Sequence, residues 1–212
     1  MKNSNSVKFP SLMHAMNGLP APRMSRLPAS EVQVLRQVMI KACDLPSGSA
    51  LERFVRDALA DAEVVESYFF PRISRQSVNA APQQTQMLLP INQALRAARQ
   101  AKAFVDLLPH ERSVAFVAAL LYSCGVFHCT HPLFRPSGRN GAPSRSYAKK
   151  LMGLLLEDAL HNLQRADAGL GQTLAAVLGM GDAQDCQPDQ VARIGTAVYL
   201  ANVAVMQVGL GV

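Results

Sequence analysis

Apolar residues recur at every third or fourth position along most of the chain, a spacing that predicts amphipathic helices. Ser30 suits an N-cap for a first helix over 31–42, and Ser49 suits the cap of a second helix that extends to Tyr68. No segment alternates apolar and polar residues over a strand length, so the sequence predicts an all-α fold. Further helices are predicted over 88–107, 114–123, 147–166, 171–178 and 189–208.

The pattern divides the chain into an arm and one domain. Residues 1–29 hold several prolines and small polar residues without an apolar period, which predicts a flexible N-terminal arm. Residues 30–212 have the size of a single helical domain. Hydrophobic residues make up 49% of the chain and tryptophan is absent, a composition that favours packing of helices through Ala, Leu, Val and Met.

Charge and cysteine content limit the classes of protein that fit. The formal net charge of +6 permits contact with a polyanion. Residues 194–212 carry no charge, but Thr196, Asn202 and Gln207 favour a buried core helix over a membrane span. The polar N-terminus shows no secretory signal, so the four cysteines are expected to be reduced and the protein to be cytoplasmic.

A long loop rich in Gly, Pro, Ser and Arg is predicted over 125–146. Basic residues cluster from the second half of this loop into the next helix, and no acidic residue lies among them. Such a segment binds nucleic acid through phosphates, without reading sequence. Arg96, Arg99 and Lys102 follow one another at i, i+3 spacing on a helix and are expected to help if they lie nearby. The cluster, called the basic segment below, comprises Arg135, Arg139, Arg145, Lys149 and Lys150.

Four segments, in a fixed order, carry a resemblance to a known family. They are FFPRISRQSVNAAPQQ, LRAARQAKAF, AFVAALLYSCG and TAVYLANVA. On these segments the chain resembles the HD-domain superfamily, and is most similar to the divergent HD-type domain at the N-terminus of relaxase-helicase proteins of integrating conjugative elements. The resemblance implies an HD-domain-like helical bundle and a role linked to conjugation or DNA processing.

In that family, histidine and aspartate residues hold a metal that activates water for phosphoester cleavage. The resemblance places Leu88, Tyr122, Ser123 and Asn202 at those ligand positions. None of the four is an imidazole or a carboxylate, the donors that bind such metals well. The chain is therefore expected to be a pseudoenzyme, with no catalytic residue, no metal and no cofactor.

Two alternative functions remain open at this stage. A displaced metal site would make the chain a metal-dependent phosphohydrolase, and its candidate ligands are Cys124, His128, Cys129 and His131, which suit zinc by type but not by spacing. A purely structural oligomerisation domain is the other alternative. The leading prediction is a non-catalytic binding or scaffolding module. Its predicted partners are nucleic acid, contacted nonspecifically through the nucleic-acid backbone, and a protein or a second copy of the chain. No membrane partner is predicted.

Overall fold

The computed structural model describes residues 27–68, 90–122, 124, 145–181 and 186–208. The described residues form eight α-helices and no strand, which confirms the all-α prediction. Residues 1–26 of the predicted arm lie outside the described residues. In chain order, α1 to α8 are Ala29–Cys43, Ala50–Ala58, Ala62–Ser67, Pro90–Lys102, Pro109–Tyr122, Arg145–Ala166, Ala168–Leu178 and Pro188–Val208.

Helix α5 lies at the centre of the bundle. Every residue from Val114 to Leu121 is buried, because this helix is apolar around its whole circumference. It packs against α4 and α8, and more lightly against α1 and α7. The hydrophobic periodicity of the helices predicted over 113–123 and 189–208 indicates that they pack together in the core, and the contact between α5 and α8 confirms this. In the part of the chain that the structure describes, no helix has both the length and the hydropathy of a membrane span.

The second predicted helix, 49–68, is wrong in extent, because the chain turns between α2 and α3. Ser49 does cap α2, since its hydroxyl accepts a hydrogen bond from the Glu52 amide at 3.1 Å. At the other end of α2, Arg36 of α1 donates to the carbonyl oxygens of Leu59 and Ala60, the second at 2.7 Å. These carbonyls end the helix and lack intrahelical partners, so a guanidinium from another helix stabilises the turn.

Other helix limits also differ from the predictions. Helix α1 begins at Ala29 without a side-chain cap, and the Pro28 carbonyl accepts hydrogen bonds from the amides of residues 31 and 32. The prediction of a Ser30 cap is therefore wrong. Helix α4 begins at Pro90, in agreement with a proline in its first turn, but ends at Lys102 rather than near residue 107. Helix α5 begins at Pro109, five residues before the predicted start at 114.

Helices α6 and α7 meet closely at one glycine. Asp167 separates them and caps α7, accepting from the Leu170 amide at 3.0 Å. A Cβ atom added to Gly171 would lie 2.9 Å from backbone atoms of Gln164, so only glycine fits this contact. Gly179 ends α7 in the left-handed region at φ 71°, the conformation that favours glycine at a helix C-terminus.

Candidate functional site

The end of α5 is where the resemblance places a metal site, and the structure shows how this end is held. The last carbonyls of a helix have no intrahelical partner. Here the fully buried Tyr68 hydroxyl donates a hydrogen bond to the Leu120 carbonyl at 2.8 Å. The Tyr68 carbonyl in turn accepts from the Ile91 amide at 2.7 Å, which joins the end of α3 to the start of α4. Tyr68 therefore connects three helices beside the candidate site.

Two thiols lie close to the Tyr68 ring. Cys124 hydrogen-bonds to the phenol, and burial is the main reason that the pKa of Tyr68 is raised well above its usual value. Cys43 is buried too, donates to the Met39 carbonyl at 3.2 Å, and has its pKa raised to about 12 by burial, although nearby Lys102 opposes that shift. The phenol of Tyr68 and the thiol of Cys43 therefore stay protonated at neutral pH, and neither is suited to nucleophilic chemistry.

The sequence pattern predicts Tyr68 only as a helix end. The signal that marks it is a phenol directly after α3, because a buried tyrosine usually finds a hydrogen-bond partner for its hydroxyl. Its partner lies 52 positions along the chain. Periodicity alone gives no information on so distant a contact.

Two of the positions at which the resemblance places metal ligands are described, and both carry neutral groups. Tyr122 is half-buried and packs against the core as the last residue of α5. Asn202 is buried in α8, and its amide nitrogen donates to the Val198 carbonyl of the same helix at 2.9 Å. Tyr122 and Asn202 therefore belong to two helices, α5 and α8, that pack against each other. Leu88 and Ser123 lie outside the described residues.

The side chains at these positions are poor metal ligands. A phenol and an amide are weak ligands compared with imidazole or carboxylate. Within the described ranges, no three His, Cys, Asp or Glu side chains are grouped to hold an ion. Of the candidate zinc ligands, Cys124 is fully buried, whereas His128, Cys129 and His131 lie outside the described residues.

A buried carboxylate near the start of α5 has a structural role. Glu111 is fully buried and accepts from the Arg193 Nη2 atom of α8 at 2.6 Å. Its second oxygen accepts from the Leu108 amide at 2.9 Å, the contact by which a glutamate at the third helical position stabilises a helix start. The hydrogen bond from Arg193 is the main cause that holds the pKa of Glu111 below its usual value. The pair joins α5 to α8.

The basic residues fall on two helices with different neighbours. Arg96 and Arg99 are exposed on α4, whereas Lys102 is half-buried, 3.9 Å from Asp44 and 5.9 Å from the centre of the Phe116 ring. Helix α4 packs mainly on α5 and α8, while α6 packs on α2 and α7.

Only part of the basic segment belongs to the described structure. Lys150 is exposed in α6. Arg145 and Lys149 belong to the first turns of that helix, but their side chains are outside the described part. Arg135 and Arg139 lie outside the described residues altogether. Proximity between the basic segment and the arginines of α4 stays a prediction.

Comparisons with known proteins were made against family models, curated sequences and solved structures, and nothing matches this chain in any of the three. The helical class rests on the structure itself. The resemblance to the HD-domain superfamily stays a hypothesis that rests on the four sequence segments.

Proposed function

We propose that the chain is a non-catalytic, HD-like helical module that binds or organises other molecules, and that it serves conjugation or DNA processing. The non-catalytic part of this proposal rests on the hydrogen bond that Asn202 makes. Its buried amide is engaged with a carbonyl of its own helix, where a metal ligand of the family would need a carboxylate directed at the ion. Neutral Tyr122, half-buried against the core, supports the same reading.

We further propose nucleic-acid backbone as the polyanion that the module contacts. Helix α4 contains no acidic residue, and its exposed positions combine Arg96 and Arg99 with the neutral Asn92 and Gln100. A face with cations and neutral donors but no carboxylate attracts phosphates at long range and hydrogen-bonds them on contact. The basic segment adds five cations in the sequence. Binding of this kind is nonspecific and strongly salt-dependent.

The test is a titration of labelled single- and double-stranded DNA with the full chain at several salt concentrations. One variant carries Arg96→Ala with Arg99→Ala, and a second replaces all five residues of the basic segment by alanine. Each lost phosphate contact flattens the slope of log affinity against log salt by nearly one unit, so the first variant is expected to flatten it by about two.

The matched control removes the same number of charges elsewhere. Arg53→Ala with Arg165→Ala takes two exposed arginines from α2 and α6, so it lowers the net charge equally without touching α4. We expect this control to change the slope far less than the α4 variant. Equal slopes for the two double variants would mean that net charge alone attracts DNA. Absence of binding at low salt would remove nucleic acid from the proposal.

A further inference from the structure

Helix α1 presents an outward face with no partner among the described residues. Its inner side packs on α2, α3 and α5. On its outer side, Val34 and Val38 are 63% and 46% exposed, although valine is a poor choice for a solvated helix surface. These two valines, together with Gln33, Gln37 and Lys41, line a shallow open groove. The outward face, called the α1 face below, is bounded by Glu31 near its start and Lys41 near its end, both exposed.

The α1 face is symmetric about position 36. Val34 and Val38 lie two residues on either side of that position, and Glu31 and Lys41 lie five residues on either side. If two such helices pack antiparallel across a two-fold axis at this point, each residue meets its mirror position in the other copy. Val34 then faces Val38 of the second copy, and Glu31 stands at the height of the other Lys41. At about 1.5 Å rise per residue, the oppositely charged groups lie roughly 7.5 Å from the axis.

The residue at the centre of symmetry does not obstruct this packing. At about 100° per residue, position 36 points away from the line between Val34 and Val38. Arg36 indeed reaches the other way, where its guanidinium donates to the Leu59 and Ala60 carbonyls at the end of α2. These two hydrogen bonds also fix α1 on the bundle, so the α1 face is presented by a rigid element.

We propose that the α1 face binds the α1 face of a second copy of this chain, forming an antiparallel, two-fold symmetric helix pair. The charges make the α1 face complementary to itself in the antiparallel direction, whereas a parallel pair would set Glu31 beside Glu31 and Lys41 beside Lys41. One helix face is small compared with the interface of a permanent dimer, so the association is weak and reversible. This inference does not depend on nucleic-acid binding.

The experiment is sedimentation equilibrium of the full chain, freed of nucleic acid, over a wide range of protein concentration. The variants are E31K, K41E and the double variant E31K/K41E. Each single reversal turns two symmetry-related attractive pairs into two repulsive ones, so we expect dimer dissociation constants about tenfold higher than that of the unmodified chain. The double variant restores opposite charges across the axis and is expected to return to within about threefold of the original value.

The double variant separates the interface from damage to the helix. Both reversals oppose the helix dipole, so a purely structural effect would make the double variant worse than either single one. E157K, a reversal at an exposed site of α6, serves as the control and is expected to leave the dimer unchanged. A chain that stays monomeric up to about millimolar concentration, single variants that match the unmodified chain, or a double variant as weak as the single ones would each overturn the proposal.

Discussion

The hydroxyl of Tyr68 offers a defined perturbation at the end of α5. Replacing it by phenylalanine keeps the ring in its fully buried position and removes only the hydrogen bond to the Leu120 carbonyl, 2.8 Å long. The carbonyl belongs to the last turn of α5, a part of a helix whose carbonyls commonly take partners from outside the helix. Cys124, which hydrogen-bonds to the same phenol, loses a partner as well.

The size of the effect follows from burial. Leaving a buried acceptor without its donor costs about 1–3 kcal/mol, and Tyr68 is fully buried, so bulk water has no direct access to the position of its hydroxyl. We expect Tyr68→Phe to lower the free energy of unfolding by about 1–2 kcal/mol, and the melting temperature by roughly 2–8 °C for a chain of this size. Loss of the whole ring in Tyr68→Ala should cost about 3–5 kcal/mol.

The assay is chemical and thermal unfolding followed by circular dichroism. Tyr199→Phe is the matched control, because it removes the same hydroxyl from a side chain that is 49% exposed on α8. The control is expected to stay within about 0.5 kcal/mol of the unmodified chain. If Tyr68→Phe changes stability no more than Tyr199→Phe does, the hydrogen bond to Leu120 does not hold the end of α5.

Three further predictions concern buried groups. Glu111→Gln should lower the free energy of unfolding by about 1–3 kcal/mol at neutral pH. Because the pKa of Glu111 is lowered in the folded state, its stabilising contribution is lost as pH falls below the ordinary value near 4.5. The free energy of urea unfolding should therefore vary less with pH in that range for the variant than for the unmodified chain. Gly171→Ala should destabilise by about 1–3 kcal/mol, whereas Gly153→Ala, with open space around its added Cβ, should be neutral or stabilising by up to about 1 kcal/mol in the same assay. In thiol labelling followed by peptide mapping, half-buried Cys186 should react about a hundredfold or more faster than Cys43, whose pKa is about 12; equal rates would contradict the burial of Cys43.

The sequence predicts those parts of the fold that depend on local pattern. The apolar run of α5 correctly indicates a core helix and Ser49 correctly indicates a cap, because each signal acts within a turn or two. The break between α2 and α3 was missed because its stabilising group is Arg36, 23 and 24 positions away from the carbonyls that it contacts.

The candidate site was predicted less completely, for the same physical reason. The residue types alone show that Tyr122 and Asn202 have neutral side chains, but the environment of Tyr122 depends on packing. The hydroxyl of Tyr68 and the carboxylate of Glu111 act between helices that are distant in sequence. Hydrophobic periodicity identifies which residues are buried, but not which polar groups meet inside the core.

The proposed module has a helical frame but no metal-dependent hydrolysis. The most direct measurement combines elemental analysis of the purified full chain with assays of nucleotide and phosphodiester hydrolysis, with and without added divalent metals. We predict no stoichiometric metal and no metal-dependent hydrolysis. Tyr122→His with Ser123→Asp should not by itself produce activity, because Leu88 and Asn202 would still offer neither imidazole nor carboxylate. Metal-dependent hydrolysis by the unmodified chain, lost on Ser123→Ala, would contradict the proposed function.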